Sequence, residues 1–221
     1  MVYGGSLENF CAAMHRGFKS YLLRHMNTTR LGFMLSLFYL IEVKEVYKSM
    51  MAGFLIALGG YVNLKVGGVL GAFLFSLGLL SVIAFKTPLY TGMVSNLESY
   101  NYPRNMCKVL VYNCIGAAGL GLLFYGSSSD SAINVLSKLD KNLFSIMLDS
   151  FICGSCVSIA VKSHSKLMTI MAVAVFILSG GEHCVADVFY FMSIGTLPIT
   201  FILTVIVGNT LGGIVFGNIT K

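Results

Sequence analysis

The sequence predicts an all-α membrane protein with six transmembrane helices, and three observations lead there. Hydrophobic residues make up 56% of the 221 positions and charged residues only 11%. Mean hydropathy is +0.81, so there are too few charges to cover a water-soluble globule of this length. The apolar residues gather into six blocks, at 47–62, 66–95, 107–125, 143–161, 167–193 and 197–219. Each block can cross a hydrocarbon core of about 30 Å wholly or nearly so, at about 1.5 Å per helical residue. Links as short as Asn63-Leu64-Lys65 leave no separate soluble domain.

Residues 1–46 read as an N-terminal cytoplasmic or interfacial segment. Glu8, Arg16, Lys19 and Arg24 interrupt it, so no uninterrupted apolar stretch marks a cleavable signal. Phe10, Met14, Phe18, Tyr21 and Leu22 fall near helical spacing, which suggests an amphipathic helix on the membrane surface. The apolar stretch 31–41 is too short to cross and is read as the entry to the first span.

Charge sets the orientation of the six blocks. With the N-terminus inside, Arg16, Lys19, Arg24, Arg30, Lys44, Lys48, Arg104, Lys108, Lys162, Lys166 and Lys221 are cytoplasmic, against Lys65, Lys138 and Lys141 outside. That bias predicts a multi-pass protein of the cytoplasmic (inner) membrane with both termini cytoplasmic. The sequons at Asn27 and Asn218 then carry no glycan. The net charge of +6 comes from scattered residues, not a basic run, so no nucleic-acid partner is expected beside the lipid bilayer. Cys107, Cys114, Cys153, Cys156 and Cys184 lie in or beside apolar segments, where cysteine serves as a small packing residue. The Cys153-Gly-Ser-Cys156 spacing lacks the strand that precedes a redox motif.

Two blocks cannot be plain helices. Lys86-Thr-Pro88 stands inside the second block, and proline removes a backbone donor and clashes with the preceding turn. Ser179-Gly-Gly-Glu-His183 interrupts the fifth. Irregular backbone at membrane depth is tolerated where protein buries it or where it lines a watery cavity, so each break alone reads equally well as a packed kink. Breaks in the second span of the first three and the second of the last three, both with ionisable residues, fit two inverted three-helix repeats around a substrate path.

Phe75-Ser-Leu-Gly-Leu79, Leu89-Tyr-Thr91, Ser179-Gly-Gly-Glu-His183-Cys-Val-Ala-Asp-Val-Phe189 and Gly208-Asn-Thr-Leu-Gly-Gly213 occur in this order. Together they resemble the motifs of the formate/nitrite transporter family. The resemblance implies an aquaporin-like six-span channel domain over 47–221, assembled as a homopentamer with one pore per subunit; separately, no cofactor or metal is expected. Its implied cargo is a small monovalent anion, formate, nitrite or hydrosulfide, with protons. By the same resemblance Leu79, Leu89 and Phe176 match the apolar constrictions, and Thr91, His183, Glu182 and Asn209 the polar groups at the centre. Lys138 matches the lysine that draws anions to the outer mouth.

Simple readings stand beside these. Leu79, Leu89 and Phe176 are ordinary membrane-core types, a buried histidine is often satisfied by a neighbour, and Lys138 is equally a solvated surface charge. Lys86-Thr-Pro88 departs from the family pattern, in which small and acidic residues precede the Leu-aromatic-Thr motif. Lys86 could snorkel, pair with Glu98 or Glu182, or add positive charge to the pore. Gly154 stands where the family has an asparagine near the histidine. His15, His25, His164 and His183 are too dispersed for a metal centre, so an enzyme is not expected. A proton-coupled carrier of weak acids such as acetate or lactate is the alternative function, and a water or glycerol pore is a third.

Overall fold

A computed structural model describes residues 28–96, 103–126 and 129–219. The surface helix expected around Phe10 and Leu22, like Asn27 and Glu98, lies outside the described residues. The chain divides into two units, 1–45 and 46–221, and the predicted site residues all fall in the second. The described elements are helical: α1 Thr28–Val66, α2 Gly68–Ala84, α3 Tyr90–Val94, α4 Pro103–Leu123, α5 Ser129–Leu136, a 3-10 turn Ser137–Asp140, α6 Leu143–Lys162, α7 Lys166–Leu178, α8 Cys184–Ser193 and α9 Ile199–Ile219.

The link expected at 63–65 is instead the last turn of α1. Asn63-Leu64-Lys65 contains no helix breaker, whereas Gly67 and Gly68 turn the chain at φ 67° and 55°, a region glycine enters at little cost. The polar stretch between the third and fourth apolar blocks folds into α5 and the 3-10 turn. Asn142 and Ser165 start α6 and α7 by accepting hydrogen bonds from the Ser145 and Met168 amides, at 2.9 and 3.4 Å.

Among the described residues, four helical stretches are long and apolar enough to cross a membrane: Tyr39–Val66, Asn105–Leu123, Leu143–Lys162 and Ile199–Asn218. α2, α7 and α8 are apolar but shorter. The block 66–95 divides into α2 and α3, and the block 167–193 into α7 and α8. Side chains such as Leu123 and Phe144 remain 76% and 74% exposed, an apolar exterior that only lipid or another subunit would cover.

α6 packs on α9, α4 on α8, and α2 on α7. Small residues let backbones touch, since interhelical packing cannot draw on the hydrophobic effect inside lipid. A Cβ on Gly53 would overlap the Asn113 carbonyl, and one on Gly154 the Asn209 carbonyl. Gly116 and Gly212 meet the Met50 and Phe151 carbonyls in the same way. The short helices are seated likewise, Val94 of α3 and the Ser95 that closes it against Gly213 and Gly217 of α9, and α8 against Gly121 of α4.

Candidate functional site

The site is built from two chain reversals that share one hydrogen-bond plan. At the end of α2 the amides of Phe85, Lys86 and Thr87 donate to the carbonyls of Ser81, Ile83 and Val82, at 2.9, 3.2 and 3.1 Å. At the end of α7 the amides of Ser179, Gly180 and Gly181 donate to Val175, Ile177 and Phe176, at 3.0, 3.2 and 2.7 Å. Both turns need a left-handed residue, Lys86 at φ 51° in one and Gly180 at φ 76° in the other. Glycine adopts that conformation freely, whereas a side chain raises its cost by roughly 1–2 kcal/mol. Leu89 and His183 then run extended, at φ −115° and −117°, and α3 and α8 begin.

One buried asparagine holds each restart. Asn113 of α4 accepts from the Tyr90 amide at 2.9 Å and donates to the carbonyls of Ser49 and Pro88 at 2.7 and 3.0 Å. Asn209 of α9 accepts from the Cys184 amide at 2.9 Å and donates to Ser150 and Glu182, each at 2.8 Å. Asn209, expected among the central polar groups, thus fastens backbone with all three of these bonds. Asn113 is its counterpart and belongs to none of the motifs quoted above. Its signal is the spacing Asn113-Cys-Ile-Gly116, repeated as Asn209-Thr-Leu-Gly212.

The restarts touch through their side chains. Thr91 Oγ1 lies 3.1 Å from His183 Nε2, with both residues buried. The Ala186 amide donates to His183 Nδ1 at 3.3 Å, so the neutral ring carries its proton on Nε2 and offers it to Thr91. Phe176 stacks on the imidazole with centroids 6.3 Å apart, and Phe75 meets Phe176 edge-on at 5.9 Å. Leu79 and Leu89 are buried in the same core. Gly154 leaves no space for the side chain that the family pattern places there, because the Asn209 backbone occupies it.

A second group brings together residues far apart in sequence. Lys138 of the 3-10 turn bonds Glu182 and also Asp187 of α8, the latter at 3.1 Å. Lys141 bonds Asp149 of α6 at 2.6 Å and Glu182 at 2.8 Å, and reaches the Gly180 carbonyl at 3.1 Å. Lys138 is therefore not an isolated cation, since its ammonium is committed to two carboxyl groups. Burial works against both lysine charges. The neighbouring carboxyl groups prevail, Asp187 and Glu182 at Lys138, Asp149 and Glu182 at Lys141, and hold both lysines above the ordinary lysine range. Lys86 is exposed and takes no part in this network. Asp149 carries no motif signal of its own, Asp187 is an unremarked member of the quoted 179–189 motif, and only folding shows what either touches.

Fold and site together define an integral membrane protein in which two short helices begin side by side within an apolar bundle, one of them at a buried histidine. The formate/nitrite transporter family model matches residues 42–221, and the chain belongs to that family. Among solved structures, the chain is similar to an FNT family ion channel at 20% identity, covering 80% of this chain and 88% of that one with a TM-score of 0.70. It is also similar to a pentameric formate channel with formate bound, at 23% identity, with 80% and 93% covered and a TM-score of 0.60. A comparison with curated proteins finds no significant match.

Proposed function

We propose that this protein is a channel for small monovalent anions such as formate, nitrite or hydrosulfide across the cytoplasmic membrane. It works as a homopentamer with a pore in each subunit, six spans per subunit and both termini cytoplasmic. In this reading α1, α2 with α3, α4, α6, α7 with α8, and α9 form the spans, as two inverted halves of an aquaporin-like fold. The observation that carries the proposal is the Thr91 to His183 contact of 3.1 Å, which joins the starting points of α3 and α8.

Helix N-termini carry partial positive charge, so two of them meeting at one buried point favour an anion. Leu79, Leu89 and Phe176 remove water from the passing ion and exclude strongly hydrated ones. The Nε2 proton of His183 then turns from Thr91 to the ion, replacing part of its lost hydration. At the outer mouth Lys138 and Lys141 offset the carboxylates that surround them, and Lys86 offers an exposed charge at the opposite turn.

Fluxes of formate, nitrite, hydrosulfide, acetate and lactate into liposomes, read at several pH values, test the proposal. His183→Ala and His183→Asn are expected to change the pH dependence while assembly persists. Unchanged flux at every pH removes His183 from the mechanism. Phe176→Ala is expected to admit larger anions such as lactate, and unaltered exclusion places the constriction elsewhere. The second reading, a proton-coupled carrier of weak acids, is favoured by the buried carboxyl groups beside His183. Obligatory one-to-one proton cotransport selects it.

A further inference from the structure

The ion network contains one carboxyl group more than its cations balance. It runs Asp149–Lys141–Glu182–Lys138–Asp187, with two ammonium groups for three carboxyl groups. The side chains of Asp149 and Lys141 are 21% and 28% exposed, whereas those of Glu182 and Asp187 are each 1% exposed. Excess charge is therefore partly open to the surroundings on the Asp149 carboxyl group and enclosed on that of Asp187.

Glu182 uses both oxygens, Oε1 on Lys141 and Oε2 on Lys138. Asp187 places Oδ1 on Lys138, while Oδ2 is buried with no partner. Charge on a bare, buried oxygen is the costly form of this group, and a proton on that oxygen removes the charge. Cys153 of α6, with Cys184 and Tyr190 of its own helix, also faces Asp187, and none of them supplies a positive charge. The His183 ring, one turn earlier, is turned to Thr91.

We propose that Asp187 is a proton-binding site that controls anion entry. With a proton on Oδ2 and Lys138 neutralising Glu182, the network holds two positive and two negative charges. When the Oδ2–H bond breaks, the proton passes to water or hydroxide and one net negative charge remains beside the turn 179–183. On the function proposed above, anions reach His183 past this turn, and the like charge repels them. Anion flux therefore falls as rising pH strips the proton, and recovers on reacidification.

The full-length protein in vesicles gives two independent readouts. Infrared spectra of the wild type at neutral pH are expected to show a protonated-carboxyl stretch that shifts in heavy water, is lost in D187N and is displaced in D187E. Formate flux in the wild type is expected to decline toward alkaline pH. D187N, whose side chain cannot ionise, loses that decline, and D187E keeps it at a shifted midpoint. The absence of a carboxyl stretch in the wild type overturns the proposal, as does a D187N decline with the wild-type midpoint. The wild-type spectrum needs no variant to assemble. If wild-type vesicles pass no formate at any pH, the channel reading fails while the spectrum still decides whether Asp187 holds a proton.

Discussion

Leu89 and His183 occupy the same place on the same backbone. Each is the extended residue between a closed helix end and a restarted helix, and each restart is fastened by one asparagine to the carbonyls on either side. Leu89 makes no side-chain hydrogen bond to its helix, whereas His183 accepts one from Ala186 and faces Thr91. The neighbouring positions differ as well. Val82 stands where the second turn has Phe176, Lys86 where it has Gly180, and Pro88 where it has Glu182. Matching turns thus supply the geometry, and the differences between them supply the chemistry.

The strongest way to break the comparison is to remove a clamp. Asn113→Leu and Asn209→Leu each strip three backbone groups of their partner inside the bundle. At about 1–3 kcal/mol for each unsatisfied buried group, several kcal/mol of stability should go. Size-exclusion recovery and thermal unfolding in detergent should show comparable losses for both variants. A mild effect at one and collapse at the other means the restarts are not equivalent.

Next in size, His183→Leu makes the second restart resemble the first. A hydrogen bond to a charged group contributes about 1.5–3 kcal/mol, so formate flux should drop by roughly 10- to 100-fold while assembly survives. Full flux in the variant would mean that the two N-caps are interchangeable and that the asymmetry at this position is idle.

Gly180→Ala forces a side chain into the left-handed turn and should cost about 1–2 kcal/mol in thermal unfolding. Lys86→Ala should cost almost nothing, because Lys86 already bears that strain at φ 51°. Equal losses at the two sites would mean that left-handed strain is not what distinguishes the turns. The smallest effect is the pH response of the lysines. Each gains from a raised pKa, so its stabilisation is complete below the unfolded lysine value of about 10.4 and fades only as pH rises through the higher folded value. Unfolding temperatures between pH 6 and 9 should accordingly show no step from Lys138 or Lys141.

Much of this frame is legible in the residues. Pro88 and the Gly180-Gly181 pair announce the two interruptions, because each breaks a helix through local backbone chemistry alone. His183 stands out since a polar group in an apolar run demands a partner. The residues that complete the site give no such signal. Lys138 and Asp187 are joined by folding, and no spacing rule connects a 3-10 turn to the helix beyond the next two. Asn113 shares only a short spacing with Asn209, and its three backbone partners are seen only in the folded chain. Gly154 reads as a lost asparagine, yet it serves close approach of two helices. The end of α1 lies beyond the expected link because the charge of Lys65 does not interrupt a helix, and the glycines that do come two residues further on.

Each asparagine clamp also ties together three pieces of chain: its own helix, the restarted helix and a neighbour. On the channel function proposed above, such a throat takes its diameter from folding, and an arriving ion need not rearrange it. Speed is the gain from a preset throat, and stiffness is its counterpart: shutting it would mean pulling helices apart. On that same reading, regulation of the traffic belongs at the entrances, where side chains and protons can move without disturbing the joinery.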